Sequence, residues 1–146
     1  MSMTIRSIVL AYDGSEMSKR ASAIAGEMAE RFGASVEAVH VLELPRPAVT
    51  VEAAVPAPPE VLEEFRVNAR DLLNQAYESL PDNVARKTTL LEGSPGPSLV
   101  DYAKRVNADL ILIGHRGLNG LERFFVGSVS EYVLRHAHCP VLIMKE

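Results

Sequence analysis

The sequence predicts an α/β protein: a single three-layer α/β/α domain, residues 1–146, built on a five-stranded parallel sheet. Short apolar segments alternate with helical patterns along the chain, and strands joined by helices pair in parallel through crossover connections. Residues 109–113 are apolar after the first position without alternation, which is typical of a strand covered on both faces. The length of 146 residues suits one domain with one core.

The first elements are a strand, a helix and a second strand. Residues 5–12 are largely apolar, and residues 13–15 end this strand with Ser15 placed to cap a helix. We expect Gly33 to end that helix in a left-handed conformation, with a strand at 34–42 after it. Apolar residues at steps of three or four predict the core-facing stripe of the helix: Met17, Ala21, Ile24, Met28 and Phe32.

Residues 44–59 differ in composition from the rest of the chain, since they contain five of the nine prolines. Proline neither donates to a sheet ladder nor continues a helix, so we expect a loop here and not another strand. The Val and Ala residues of this Pro-rich loop leave two interpretations open. It covers apolar surface, or it is a simple connector.

The second half of the chain supplies the remaining strands and helices. The third strand is more polar than the others, which favours a position nearer an edge of the sheet. The predicted elements are a helix opening at Pro59 with a core stripe from Leu62 to Leu80, a strand at 85–91, a short helix with Pro97 in its first turn, the strand at 109–113, a helix near 128–135 and a strand at 141–144.

Composition and charge exclude several classes of function. The net charge of −4 and the pI near 5.6 disfavour nucleic-acid and anionic-membrane binding, because both use basic surfaces. No segment approaches the roughly 20 apolar residues that span a bilayer, and no signal-peptide cleavage site is recognisable. Cys139 is the single cysteine and forms no internal disulfide, which is typical of the reducing cytosol. We therefore expect a cytoplasmic protein without nucleic-acid or membrane partners.

The segment 114–130 carries the candidate chemistry. It leaves the carboxyl end of the fourth strand and enters a helix, and ligands of open parallel sheets bind at that edge. Its glycines would let backbone N–H groups approach a phosphate, and a helix beginning near Gly127 adds unpaired N–H groups and a partial positive charge. The hydroxyls of Ser128 and Ser130 could donate to phosphate oxygens. Arg116 could contact phosphate or remain a solvated loop charge.

The glycine spacing is neither a Walker A loop nor a dinucleotide fingerprint. No Gly-Lys-Ser/Thr ending exists in the chain, and a fingerprint would follow the first strand as GxGxxG. The spacing instead resembles the ATP-binding signature of universal stress proteins, which reads Gly, two residues, Gly, nine residues and Gly-Ser/Thr. Gly114, Gly117, Gly127 and Ser128 occupy all four places.

The resemblance covers essentially the entire chain. Similar segments in register with the family include residues 9–15, 39–41, 93–95, 127–130 and 138–142. It implies the Rossmann-like fold of the adenine nucleotide α-hydrolase-like group. It also implies a symmetric homodimer through the last strand, Val141–Met144, since an apolar edge strand needs a partner. The alternative is a central, covered strand within a monomer.

The resemblance implies an adenine nucleotide as ligand, namely ATP together with Mg²⁺. Asp13 would approach a phosphate-bound metal, or else close a turn, and Val41 would line the adenine pocket or belong to the core. His115 occupies a variable position of the signature and receives no role. The residues assigned to the ligand are Ala11, Tyr12, Asp13, Val41, Gly114, Arg116, Gly117, Gly127, Ser128, Val129 and Ser130.

The implied function is a nucleotide-dependent sensor or regulator of the stress response with little or no hydrolysis. No Walker B context, general base or arginine finger is recognisable, so no catalytic residue is nominated. Two alternatives are a buffer for cAMP or AMP and a slow ATP hydrolase of the adenine nucleotide α-hydrolase-like group. The sequence does not identify the protein partner through which a sensor would act.

Overall fold

The computed structural model describes residues 3–45, 48–49, 54–115 and 127–145. Apart from a short pair of extra strands, Ala48–Val49 and Ala54–Val55, helices and strands alternate along these residues as the sequence predicts. The elements in chain order are β1 (Ser7–Ala11), α1 (Glu16–Phe32), β2 (Ser35–Leu42), β3 (Ala48–Val49), β4 (Ala54–Val55), α2 (Pro59–Ser79), β5 (Arg86–Glu92), α3 (Pro95–Arg105), β6 (Leu110–Gly114), α4 (Ser128–His136) and β7 (Val141–Met144).

The predicted five-stranded parallel sheet is confirmed, with the strand order β5-β2-β1-β6-β7. Leu10 of the central strand β1 lies opposite Ala38 of β2 and Leu112 of β6. The chain builds outward from β1 through β2 to β5, and then returns to β6 beside β1. Because α1, which follows β1, and α4, which follows β6, pack on opposite faces of the sheet, a crevice opens between the carboxyl ends of these two strands.

Two pairs of helices cover the two faces of the sheet, which confirms the three-layer architecture. One core cluster joins α1 and α2 to the sheet and includes Ile8, Leu10 and Leu112. The other joins α3 and α4 to the opposite face and includes Val9 and Ile111. The alternation of Ile8, Val9 and Leu10 between the clusters follows from the two-residue period of a strand. An unbroken apolar run is therefore needed for a strand buried on both sides.

Helix α1 begins and ends where the sequence predicts, and its buried face overlaps the predicted stripe, since Ala21 is buried and Ile24 and Met28 pack against the core. The Ser15 hydroxyl accepts from the Ser18 N–H at 3.2 Å, and Gly33 is left-handed with φ of 67°. The predicted stripe is wrong at Phe32, which is 53% exposed. The fully buried residues of the helix are small ones: Ser18, Ala21, Ser22, Ala25, Gly26 and Ala29. Small side chains let the helix axis approach its neighbours, whereas a stripe drawn from hydrophobicity alone favours the larger residues.

Helix α2 opens at Pro59 as predicted, and only its second half reaches the core. Ala69, Leu73 and Ala76 are buried, while Phe65 of the predicted stripe is exposed. At 21 residues it is the longest helix of the described residues. Within the described parts of the chain, no helix combines the length and apolar character that crossing a bilayer requires.

The expectation of a strand-free loop at 44–59 is corrected by a two-stranded antiparallel pair. In this pair Ala48 lies opposite Val55, and Val49 lies opposite Ala54. Pro47 precedes the first strand and Pro56 follows the second, so no proline occupies a paired position. A hairpin this short therefore tolerates the local proline content, because the missing N–H groups fall outside its ladder.

Candidate functional site

A cleft opens at the carboxyl edge of the sheet, at the crevice between β1 and β6. The cleft is open to solvent, and the space within it together with its mouth amounts to about 670 Å³. Its lining residues are Ala11, Tyr12, Asp13, Ser15, Ser18, Val39, His40, Val41, Pro95, Leu99, Ile113, Gly114, Gly127, Val129 and Ser130.

One wall of the cleft is apolar and comes from three elements. Val41 of β2, Leu99 of α3 and Ile113 of β6 all line it. Leu99 and Ile113 are core residues, and the half-buried Val41 packs against the same cluster. The sequence leaves open whether Val41 belongs to the core or lines a pocket. In the structure it does both. A flat apolar group would meet rigidly packed side chains here.

The turn after β1 forms the polar side of the cleft. The Tyr12 N–H donates to the Val39 carbonyl at 2.9 Å, which extends the pairing of β1 and β2 by one residue. Asp13 Oδ1 accepts from the Ser15 N–H at 2.9 Å and closes a turn directly before α1. The Tyr12 side chain belongs to the core, and its burial raises the pKa of the phenol above its ordinary value. Asp13 thus has a structural contact and also lines the cleft.

His40 is a cleft residue that sequence reasoning missed. Its Nδ1 lies 2.8 Å from the Tyr12 carbonyl oxygen. Because a carbonyl oxygen only accepts, Nδ1 carries the proton and donates, which leaves Nε2 of the neutral ring as an acceptor. Its place in the segment 39–41 that resembles the family, one residue before Val41, was the signal available in the sequence.

Gly114 ends β6 at a point of close packing. A Cβ built on Gly114 would lie 2.8 Å from Met17 Cβ and 3.0 Å from the Ser18 nitrogen. Such distances are shorter than real Cβ atoms tolerate, so the first turn of α1 requires glycine here independently of any ligand. The Gly114 carbonyl also accepts from Ser130 Oγ at 3.0 Å.

The amino end of α4 borders the cleft beyond β6. Gly127 is the N-cap residue with φ of −58°, and it has no side chain with which to cap the helix. Val129 is half-buried and Ser130 is buried, and both line the cleft, whereas Ser128 is exposed and does not. The Ser130 hydroxyl donates to Gly114, so in this structure the predicted phosphate donor is engaged with β6.

His115 directly follows β6 and is only 6% exposed. Its N–H donates to the Met144 carbonyl at 2.7 Å, which continues the pairing of β6 with β7. Its ring Nδ1 accepts from the Gly127 N–H at 3.3 Å. The ring thereby joins the end of the sheet to the beginning of α4.

Comparison with known protein families identifies the family of this chain. The model of the universal stress protein family matches residues 4–145. The chain belongs to the universal stress protein family. A universal stress protein of Methanocaldococcus jannaschii is 36% identical over 142 residues, which cover 97% of this chain and 82% of that protein. The family assignment that the glycine spacing suggested is therefore confirmed over nearly the whole sequence.

Solved structures of universal stress proteins have the same fold. The universal stress protein UspA from Lactobacillus plantarum superposes with a TM-score of 0.76 at 28% identity, covering 99% of this chain and 100% of that one. The universal stress protein from Archaeoglobus fulgidus in complex with dAMP superposes with a TM-score of 0.70 at 27% identity, over 99% of this chain and 100% of that one.

The structure places most of the predicted site residues around one cleft. Ser128 lies beside it on the outer side of α4, while Arg116 and Gly117 fall outside the described residues. The predicted residues that line the cleft are Ala11, Tyr12, Asp13, Val41, Gly114, Gly127, Val129 and Ser130. Pro95 and Leu99 were missed, although residues 93–95 belong to the segments that resemble the family.

Proposed function

We propose that this universal stress protein binds an adenine nucleotide, ATP with Mg²⁺, in the cleft and acts as a nucleotide-dependent regulator of a cytoplasmic stress response. The observation that carries the proposal is the juxtaposition of an apolar wall with a helix N-terminus in one cleft. The wall at Val41, Leu99 and Ile113 suits a planar base. The amino end of α4 suits phosphate, because its first N–H groups have no partner within the helix and carry a partial positive charge.

The position of Asp13 supports a magnesium ion carried by the nucleotide. Mg²⁺ prefers oxygen ligands, and it is commonly held by one or two carboxylates together with substrate phosphates. Asp13 is the carboxylate among the described lining residues. Its contact with the Ser15 N–H orients the group, and a carboxylate accepts more than one partner. We propose that Asp13 holds the metal through the bound phosphates.

A related protein supports adenine as the base. The universal stress protein from Archaeoglobus fulgidus, with 27% identity over 99% of this chain, was solved in complex with dAMP. We propose that this chain recognises the same class of ligand, with the triphosphate extending toward Gly127 to Ser130. Arg116 and Gly117 of the signature would border the ribose and phosphates.

We propose regulation rather than efficient catalysis. Phosphoryl transfer depends on cations that stabilise the developing charge and on a group that positions the nucleophile. Beyond the proposed Mg²⁺ and Arg116, the sequence offers no Walker B context, no evident general base beside the glycine segment and no recognisable arginine finger. Little or no hydrolysis is expected, and a change of partner binding on nucleotide exchange would transmit the signal.

We also propose a homodimer through β7, Val141–Met144. This strand lies at an edge of the sheet, where its outer backbone groups have no neighbouring strand within the described chain. Leu142 is 38% exposed on it. An exposed apolar edge is stabilised by pairing with a second strand, and a second copy supplies one.

Two measurements test the nucleotide proposal. Mass spectrometry of small molecules released from the purified, denatured protein should detect an adenine nucleotide. Calorimetric titration with ATP, AMP and cAMP, each with and without Mg²⁺, should show the tightest binding for Mg²⁺-ATP. Preference for cAMP or AMP would favour a buffering role, and accumulation of ADP, or of AMP and pyrophosphate, would indicate an enzyme. No affinity for any of these ligands at millimolar concentration would contradict the proposal.

A further inference from the structure

Two side chains tie the first turn of α4 to the end of β6. The Gly127 N–H donates to His115 Nδ1 at 3.3 Å, and Ser130 Oγ donates to the Gly114 carbonyl at 3.0 Å. Each side chain is nearly inaccessible to solvent: His115 is 6% exposed and Ser130 is 2% exposed. Both bonds run in the same direction, since the amino end of α4 donates an N–H and a hydroxyl to two acceptors at the end of β6.

The backbone of His115 is held in place by the sheet. Its backbone N–H donates to the Met144 carbonyl at 2.7 Å, so the residue is an extension of the β6–β7 ladder. Since the ring Nδ1 accepts from an N–H, the ring is the neutral tautomer with its proton on Nε2. The position of Gly127 is therefore set by the sheet through one side chain.

The amino end of α4 lacks the usual capping side chain. Gly127 is the N-cap and makes no side-chain cap bond, whereas an N-cap Ser, Thr, Asp or Asn would bond to the N–H of a residue further along the helix. His115 caps from outside the helix by accepting from the Gly127 N–H. The N–H groups of residues 128–130 have no acceptor within the helix. The arrangement orients this turn without filling it.

We propose that His115 is a positioning residue of the phosphate site. Its Nδ1 holds the first turn of α4 against β6, so that the N–H groups of 128–130 are oriented before a phosphate arrives. Ordering these groups in advance removes part of the entropic cost of binding. This inference rests on the proposed function and adds to it a role at a variable position of the signature. It makes the acceptor atom, and not the imidazole as such, the requirement at residue 115.

The test compares two variants of similar size in the full chain. His115→Leu removes the acceptor and keeps an apolar volume, whereas His115→Asn places an amide oxygen at the δ position where the ring nitrogen stands. Calorimetry then measures the affinity of each protein for Mg²⁺-ATP and for adenosine, which has the base and ribose but no phosphate. Thermal unfolding of each variant checks that the fold is retained.

His115→Leu should weaken ATP binding about fivefold to tenfold, the usual worth of one hydrogen bond, and leave adenosine binding within about twofold. His115→Asn should restore most of the ATP affinity. His115→Ala, which also lacks an acceptor at the δ position, replaces His115→Leu if that variant does not fold.

Three outcomes would overturn the inference while the proposed function stands. They are equal losses for ATP and adenosine, no loss for either ligand, or an Asn variant as weak as the Leu variant. If the unmodified protein binds neither ligand, the proposed function itself fails, and the inference fails with it.

Discussion

The two ends of strand β2 differ in how their polar surroundings are satisfied: at the amino end a buried carboxylate is hydrogen-bonded, and the carboxyl end faces an open cleft. Glu37 near the amino end and Val41 near the carboxyl end share one face of the strand, because residues two and four apart point the same way. Glu37 is a carboxylate that is only 7% exposed. Its Oε2 accepts from the hydroxyls of Thr89, at 2.6 Å, and of Tyr102, and Lys87 Nζ lies 3.5 Å from Oε1. The buried charge is thus paired and hydrogen-bonded on several sides.

The carboxyl end of the same face opens into the cleft. There Val41 lines empty space, and the amino end of α4 presents N–H groups that the helix itself cannot satisfy. Helix α3 spans both regions, since Leu99 lines the cleft while Tyr102 bonds to Glu37. The comparison teaches that a buried charge does not by itself indicate a ligand site. A better indication is a set of backbone N–H groups that have no acceptor within their own helix and that lie beside an open space, as at α4.

The substitution with the largest expected effect lies in the cleft and should change nucleotide affinity with little change in stability. Gly127→Glu should weaken nucleotide binding at least about a hundredfold, because a negative side chain beside the phosphates costs several kcal/mol. The φ of −58° accepts a side chain, and an acidic group at a helix N-terminus is favourable, so the free energy of unfolding should change by less than about 1 kcal/mol. Calorimetry and urea unfolding measure the two quantities.

Gly127→Ala is the matched control for this change. It adds a Cβ without charge at the same φ, and it should therefore bind nucleotide far better than the Glu variant. Unchanged affinity in the Glu variant would remove the amino end of α4 from the site.

The next prediction disrupts the amino end of β2. Glu37→Leu should lower the free energy of unfolding by about 2 kcal/mol, since the hydroxyls of Thr89 and Tyr102 lose a charged acceptor. Nucleotide affinity should stay within about twofold. As a control, Lys87→Met should cost less than about 1 kcal/mol, because the lysine side chain is largely exposed. If the Leu variant is as stable as the parent, apolar packing replaces the hydrogen-bond network of Glu37. The network would then not be needed for stability.

Gly114→Ala should affect both stability and binding, because Gly114 lines the cleft and packs against the first turn of α1. Its Cβ would lie 2.8 Å from Met17 Cβ and 3.0 Å from the Met17 carbonyl carbon, so α1 or β6 must shift. We expect a loss of about 1.5 kcal/mol in unfolding free energy from overpacking. Urea unfolding with calorimetry of the same sample measures this, and reduced binding at unchanged stability would instead assign Gly114 to the ligand alone.

The smallest expected effect is a pH dependence at Tyr102. Burial, and next the hydrogen bond to Glu37, raise the pKa of this phenol above its ordinary value. The folded protein therefore keeps the phenolic proton when the unfolded chain releases it near pH 10. The stability from Tyr102 is present below about pH 10 and is lost as pH rises from there through the folded pKa.

Tyr102→Phe isolates this contribution, because Tyr12 titrates in both proteins. The variant should be less stable by about 1 kcal/mol at pH 7, and the deficit should shrink above about pH 10. Urea unfolding of both proteins across this range measures it. A deficit that stays constant would mean that Tyr102 contributes through packing and not through its hydroxyl.

The local sequence determined the order of the main elements and the location of the cleft. Ser15 and Gly33 act on their own helix through contacts within a few residues, so their caps could be predicted. The spacing of Gly114 and Gly127 and the apolar run of β6 are also local, which is why the family and the site edge followed from them. In each case the information and its consequence lie within one element or its end.

Tertiary structure alone decided which distant groups meet. The bond from His40 to Tyr12 spans 28 positions, and the bond from Tyr102 to Glu37 spans 65. No periodicity encodes such partners, since they depend on strand order and on how α3 packs. Packing of the whole domain also decides the exposure of Phe32. The fully buried residues of α1 are small ones, and Phe32 lies outside that buried face. Patterns along a chain specify elements and their ends, whereas hydrogen-bond partners and buried faces are selected by packing of the whole domain.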